Sequence, residues 1–327
     1  MRVVYFGTPA FAVPALEALA ADSRYDLRLV VTRPDRPAGR GRRVEPSPVS
    51  VAAPTLGLPI YQPTSLRTPE ARAPLVEAKA DLFVVAAFGL IFGRATLAIP
   101  RVGCVNLHAS LLPRYRGASP ILAAILSGET TTGVTLMEMD EGLDTGGMIA
   151  EIEEPILPDD TTETLSARLA RRAATLAGQE LADYATGVLV PRPQPSPGAN
   201  LTRPLTKADG WLDWSRSATD LERQVRAMWP WPRAWTTVGG DQLQVHRAGV
   251  VPRVGTGLAA GTLIAQESDP VIVCGVDALS LEVVQPAGRM PIAGSAFVRG
   301  ARHAEGVVLG GSGAPPPGPP LVVPVEA

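Results

Sequence analysis

The run GCVNLHASLLPRYRG at 103–117, with SPILAAILSG at 119–128 and GVTLMEMDEGLD at 133–144, decides how this chain is read. Cys104 to Leu107 is apolar enough for a buried strand, and it delivers Asn106 and His108 at its carboxyl end. Side chains two positions apart on a strand leave the same face. Ser110 to Gly117 is a polar turn carrying Pro113, Arg114 and Arg116. A helix signal follows: Ser119 at the N-cap, Pro120 at the first position, Ile121, Ala124 and Ile125 along one side, and Gly128 as the stop. Val134 to Met139 reads as a second strand, ending in the acidic turn Asp140 to Asp144. Ligands of open α/β sheets sit beyond the carboxyl ends of strands, so an amide, an imidazole and a carboxylate are expected to converge at one rim.

Toward the N-terminus, Arg2 to Phe6 is a short apolar strand. Thr8 is read as a cap and Pro9 as the start of a helix whose apolar side holds Phe11, Ala15, Ala18 and Leu19. GTPAFA is no GxGxxG, so this turn is taken to line a ligand cleft rather than to hold a dinucleotide. After a strand at Leu27 to Thr32 comes RPDRPAGRGRRVEPSPVS, where five arginines (33, 36, 40, 42 and 43) face only Asp35 and Glu45. Two readings are open: a solvated basic loop, or a mobile arm that orders on a polyanion through guanidinium–phosphate contacts. DLFVVAA at 81–87 is apolar throughout, as in a parallel strand buried on both faces. The turn beyond it, Phe88 to Ile91, is either a ligand wall or a plain hydrophobic turn.

Thr161 to Thr186 is a long amphipathic helix, with Leu165, Leu169, Leu176 and Leu181 on its apolar side. Prolines 191, 193, 195 and 197 then mark an extended linker ending near Pro204. Beyond it, a helix at Asp220 to Met228 precedes an aromatic cluster whose Trp229, Trp231 and Trp235 are expected in the core. Short alternating runs follow, separated by glycine turns, and predict a small β-barrel or sandwich. His246 and His303 are expected to be exposed or structural, and the Gly- and Pro-rich stretch 310–327 to be disordered. The fold class expected is α/β: a Rossmann-like domain with a mostly parallel sheet over 1–188, a linker over 189–206, and a second domain over 207–309.

Composition narrows the function classes. Charged residues make up 19% and the net charge is −2, which argues against a surface coated with nucleic acid and leaves room for local basic patches. Cys104 and Cys274 lie far apart in apolar runs and predict buried free thiols, not a disulfide framework or a metal site. MRVVYFGTP enters a strand directly, without the apolar region of a signal peptide, and no run reaches the roughly 18 apolar residues of a membrane helix. A cytoplasmic chain without membrane contact is expected.

The pairing of VNLHASLLPRYRG with MDEGLDTG resembles the signature of the folate-dependent formyltransferases. The resemblance implies transfer of a formyl group from 10-formyltetrahydrofolate to an amine, with no metal. Asn106, His108 and Asp144 match the catalytic trio of that family. Ala87, Phe88, Gly89, Leu90 and Ile91 match its folate-lining turn, and Ser110, Leu111, Leu112, Pro113 and Asp140 are the further folate candidates. PDRPAGRGRR resembles the inserted loop that the methionyl-tRNA formyltransferases push into the acceptor stem, which makes Arg36, Arg40, Arg42 and Arg43 the tRNA-binding candidates. Methionyl initiator tRNA is then the acceptor, the second domain is an OB-like barrel suited to RNA, and a monomer without stable protein partners is expected. A formyltransferase acting on a sugar-nucleotide amine shares the trio but has no use for the basic loop. A non-catalytic RNA-binding module would not need the trio. Arg114 and Arg116 either contact folate or phosphate or brace their turn.

Overall fold

The computed structural model describes residues 1–38, 43–252, 257–265, 268–300, 306–316 and 318–325. In the first half, strands β1 (Arg2–Gly7), β2 (Asp26–Val31), β3 (Arg36–Ala38), β4 (Arg43–Glu45), β5 (Ile60–Tyr61), β6 (Leu82–Ala86), β7 (Gly103–His108), β8 (Arg116–Gly117), β9 (Thr131–Glu138) and β10 (Met148–Pro155) alternate with helices. Those helices are α1 (Val13–Ala21), α2 (Pro48–Thr55), α3 (Pro69–Glu77), α4 (Arg94–Leu97), α5 (Pro120–Leu126) and α6 (Thr162–Ala185). Seven strands form one sheet in the order β10-β9-β7-β6-β1-β2-β5. Its body, β5 to β7, is parallel, and β9 and β10 extend it antiparallel.

The parity of the strands sorts two cores. Val3 and Tyr5 of β1, Leu82, Val84 and Ala86 of β6, and Val105 and Leu107 of β7 pack on one face against α1 and α6. Val4, Phe6, Phe83, Val85 and Cys104 point to the other, where Phe6 meets Phe83, Phe88 and Phe92 at ring separations of 5.0, 5.3 and 4.9 Å. Asn106 and His108 share the face of Cys104 because they share its parity.

Helix α6 closes the first face. Thr161 caps it by accepting from the Thr164 N–H, and the expected leucines 165, 169, 176 and 181 are buried. At its N-terminal end Arg168 donates to Glu154 at 2.7 Å and to both oxygens of Asp160 at 2.6 Å, and Arg172 donates to Glu154 at 2.6 Å. Burial would raise both carboxyls. The Arg168 guanidinium outweighs it, joined at Glu154 by Arg172 and at Asp160 by the Leu157 N–H, so both titrate below the ordinary range.

The helix start after β1 departs from expectation. Ala10–Ala12 is a 3-10 turn without a side-chain cap, and α1 begins at Val13. Thr8 instead donates to the Phe88 carbonyl and accepts from the Arg33 N–H. The hydroxyl ties two loops together rather than capping a helix.

The second half comprises β11 (Asn200–Thr202), α7 (Ala218–Ala227), β12 (Ala234–Val238), β13 (Asp241–Val251), β14 (Leu263–Ile264), β15 (Val271–Val273), β16 (Ala278–Pro286), β17 (Ile292–Ala293), α8 (Gly294–Gly300) and β18 (Val322–Pro324). Here the sheet is antiparallel, ordered β12-β13-β16-β15-β14 with β17 on β16, and it packs its own core with α7. The tail expected to be disordered supplies β18, which finds donors and acceptors on β11 with Thr202 opposite Val322. The tryptophans are also less buried than expected. Trp229 donates to Glu163 of α6, Trp235 lies edge-on to Trp211, and Trp231 is 57% exposed. With Thr162 donating to the Ala227 carbonyl, Trp229 joins the two halves instead of filling one core. His246 lies half-buried 5.1 Å from the Trp229 ring, and His303 is outside the described residues. Among the described residues no helix is long and apolar enough to cross a membrane.

Replacing Arg168 by Met strips buried Asp160 of its guanidinium partner and leaves Glu154 with Arg172 alone, and breaking a buried pair from one side typically destabilises by about 3–5 kcal/mol. The native carboxyls titrate below their unfolded value, so their contribution is present above about pH 4 and fades as the pH falls through the native value. Urea unfolding of wild type and Arg168→Met is expected to differ most at pH 7 and less at pH 4. An equal gap at both would contradict the ion-pair account.

Candidate active site

β7 carries Asn106 and His108 to the end of the parallel sheet on the Phe6 face. The partner carboxylate arrives differently from the expectation of a common rim. β9 is antiparallel to β7, with Thr135 opposite His108 and Glu138 opposite Val105, so the strand ends three residues below the histidine and the acidic turn starts lower still. The loop closes on itself, the Glu138 N–H donating to the Gly147 carbonyl at 2.8 Å, and lays Asp144 back against β7. Asp144 sits at φ 53, the left-handed region that Asp tolerates better than most residues.

Its carboxylate is the meeting point. Oδ1 accepts from Asn106 Nδ2 at 3.4 Å, Oδ2 accepts from the Gly117 N–H at 2.7 Å, and His108 Nδ1 lies 3.5 Å from Oδ2. The other ring nitrogen, Nε2, is 3.0 Å from the Tyr115 carbonyl. The imidazole therefore stands between two acceptors, and each N–H it carries has a taker. The side chains of His108 and Asp144 are 5% and 16% exposed, whereas Asn106 is half-buried, with one amide N–H on Asp144 and the second without a partner among the described residues. Cys104, two residues before Asn106, is held neutral: burial pushes its thiol up to about 12.

The turn from Ser110 to Gly117 is locked from within and without. Ser110 donates to the Arg114 carbonyl, and the Leu112 N–H donates to Thr135. Arg114 pairs with Glu129, which also accepts from the Tyr115 hydroxyl. From outside, Asn200 accepts from the Tyr115 N–H, Thr202 donates to the Arg116 carbonyl, and Gln194 accepts from the Arg116 guanidinium. Arg114 and Arg116 thus brace their turn. The linker, expected as a plain boundary, runs through the site, with β11 parallel to β8.

Comparison with known proteins decides the family. A formyl transferase model matches residues 1–179, and a formyl transferase C-terminal domain model matches 204–302. A methionyl-tRNA formyltransferase of Thiobacillus denitrificans is 46% identical over 311 residues, covering 95% of this chain and all of the relative. Those of Sorangium cellulosum and Chloroflexus aggregans are 45% and 44% identical over 312 residues, with the same coverage. The chain belongs to the methionyl-tRNA formyltransferases. Solved structures agree on the fold at lower identity. An N-formyltransferase of Helicobacter canadensis gives a TM-score of 0.63 at 17% identity over 85% of this chain and 98% of that one. A sugar N-formyltransferase of a Shewanella species gives 0.58 at 20%, over 75% and 96%.

Within this formyltransferase the remaining expected residues fall into two groups. In the turn after β6, Ala87 and Gly89 are exposed, Leu90 is half-buried and Ile91 is 82% exposed, while Phe88 is anchored in the aromatic core. The Gly89 carbonyl accepts from Arg33 at 2.6 Å. This turn faces the acidic loop: Met139 packs on the Phe88 cluster, and Arg94 lies 3.6 Å from Glu141. Asp140 is exposed and accepts from the Gly142 N–H and Thr145. Leu111 is half-buried. By contrast, the Ser110 hydroxyl is spent on Arg114 and the Leu112 side chain is buried against Met137 and Met148, with Pro113 buried beside it, so these three shape the turn from behind. The basic loop is a short antiparallel hairpin, β3 on β4, with Arg36 opposite Glu45 and Arg43 opposite Ala38. Arg40 and Arg42 lie outside the described residues.

Tyr115, Gly117, Gln194 and Asn200 went unread in the sequence, since their contacts join segments up to 85 residues apart. The only signal was an amide placed among prolines. Gly117 has φ +95, and a Cβ there would stand 2.4 Å from the Thr202 carbonyl oxygen. Gly117→Ala is expected to destabilise by about 2 kcal/mol or more and to lower formyl transfer, because its amide also holds Asp144. A wild-type urea midpoint for this variant would contradict that packing.

Proposed function

We propose that the chain transfers the formyl group of 10-formyltetrahydrofolate to the α-amine of methionyl initiator tRNA, with Asn106, His108 and Asp144 as the reacting groups. The observation that carries this reading is the identity to methionyl-tRNA formyltransferases along 95% of the chain. Convergence of the three side chains on one carboxylate supports the assignment of roles.

The reaction forms a bond from the amine nitrogen to the formyl carbon, breaks the bond from that carbon to N10, and moves a proton from the amine to N10. An aminoacyl amine titrates near the α-amino reference of about 7.7–8.0, so a neutral nucleophile is accessible at neutral pH. The heavier demand is the oxyanion of the tetrahedral intermediate. The second N–H of Asn106 is the donor for it, and losing such a donor typically costs on the order of 3 kcal/mol, or about a hundredfold in rate. His108, set in orientation by Asp144 and Tyr115, exchanges the proton between amine and leaving nitrogen. The raised thiol of Cys104 speaks against a covalent acyl-enzyme.

The exposed face of Ala87 to Ile91, with Leu111 and Asp140 across from it, is the wall assigned to the folate. Residues 1–188 form the catalytic domain and 207–309 the RNA-directed domain in this reading. Its antiparallel sheet is taken as OB-like; the register shifts between Val245 and Ala248 in the eleven-residue β13 are the kind of bulge that bends a strand toward barrel closure. Arg36, Arg40, Arg42 and Arg43 meet tRNA phosphates, and the enzyme works in the cytoplasm as a monomer.

Formylation of methionyl initiator tRNA, uncharged tRNA and an amino-sugar nucleotide, each with 10-formyltetrahydrofolate, tests the substrate. Transfer to the charged tRNA alone is expected, and transfer to the sugar alone would overturn the reading of the arginine loop. His108→Ala is expected to abolish turnover while tRNA binding survives; parallel loss of both would refute the division of labour. Arg40→Ala and Arg42→Ala should each reduce the salt slope of tRNA binding by about one, and an unchanged slope would remove the arm from the phosphates.

A further inference from the structure

The linker holds a side chain that closes a ring around the reacting carboxylate. Gln194 lies between Pro193 and Pro195, on a segment anchored where Met148 and Arg192 exchange both backbone hydrogen bonds at 2.8 Å. Its Nε2 donates to the carbonyls of Asp144 and Gly146, both at 2.8 Å. Its Oε1 accepts from Arg116 Nε at 3.0 Å and Nη2 at 2.7 Å. Arg116 immediately precedes Gly117, whose N–H donates to the Asp144 carboxylate. The circuit runs from the Asp144 carbonyl through Gln194 and Arg116 to Gly117 and back to the Asp144 carboxylate. Both N–H groups and the oxygen of the amide are engaged, so no other residue type of this size fits all four contacts.

Asp144 needs such support. A non-glycine residue at φ 53 persists when its surroundings over-determine it, and here the backbone carbonyl and the carboxylate are held from different chain segments. We propose that Gln194 is a positioning residue of formyl transfer, acting through Asp144 and Arg116. This rests on the reading of Asn106, His108 and Asp144 as the reacting groups. A displacement of about 1 Å at a reacting group can cost about a hundredfold in rate, so the effect belongs in kcat rather than in substrate affinity.

The test is steady-state kinetics with methionyl-tRNA and 10-formyltetrahydrofolate on Gln194→Ala, Gln194→Glu, Arg116→Ala, the Gln194→Ala/Arg116→Ala pair, Asp144→Asn, and Val190→Ala as an exposed linker control. Gln194→Glu keeps the volume and the acceptor for Arg116 but turns a carboxylate oxygen toward two carbonyls, and it carries the test if the alanine variant fails to fold. The expected result is a fall in kcat of about 10- to 100-fold for both Gln194 variants, with both KM values within about threefold of wild type and thermal midpoints preserved. The double variant is expected to lose no more than its worse single parent, and Val190→Ala to match wild type. Wild-type kcat in both Gln194 variants, raised KM with kcat intact, or additive losses in the pair would each overturn the proposal. Asp144→Asn separates the two layers: if it retains activity, the trio reading falls and the proposal with it, whereas an inactive Asp144→Asn beside fully active Gln194 variants overturns the proposal alone.

Discussion

The candidate site in the N-terminal half is arranged around one carboxylate that has almost left water. Asp144 is 16% exposed and accepts hydrogen bonds from a strand side chain, Asn106, and a turn amide, Gly117, with the His108 ring alongside. A carboxylate so placed is tolerable only with its oxygens engaged. The donors come from two separate segments, β7 and the Ser110–Gly117 turn. The requirement for partners is therefore also a requirement on where β7, the Ser110–Gly117 turn and the loop after β9 must lie.

The scaffold meets that requirement by parity and by tethering. Apolar residues of β6 and β7 fill both faces of the sheet, and Asn106 and His108 occupy the Phe6 face where that core ends. The Phe6, Phe83, Phe88 and Phe92 rings fix the base of the turn after β6, and Thr8 and Arg33 hold its carbonyls. The basic hairpin starts three residues beyond Arg33, so the candidate tRNA arm and the candidate folate wall share an anchor. Arg203, at the end of the linker, pairs with Asp209 at 2.5 Å and so continues the tether from the candidate site into the second half.

Local patterns in the sequence were enough to read β7, the face shared by Asn106 and His108, the apolar β6, and α6 with its buried leucines. Each follows from the period of apolar residues along the segment. Asp144 lies beside Asn106 and His108, but its approach was not legible, because the direction of β9 depends on pairing that no local pattern encodes. The prolines between 191 and 197 do mark an extended segment, yet Gln194 and Asn200 tie that segment to residues 48 to 85 positions away. Composition likewise described Val322–Pro324 as tail, while backbone groups left open on β11 make it a strand. Trp231 reads as core by type and is exposed, whereas Trp229 meets Glu163 and Trp235 meets Trp211.

The claim that the Asp144 carboxylate knits three segments into one unit is tested most directly by hydrogen exchange on Asp144→Ala. The account predicts faster exchange in the Ser110–Gly117 turn, the Met139–Gly147 loop and the linker from Pro191 to Thr202 together, with the amides of β1 and β6 unchanged. Faster exchange confined to the Met139–Gly147 loop would contradict it.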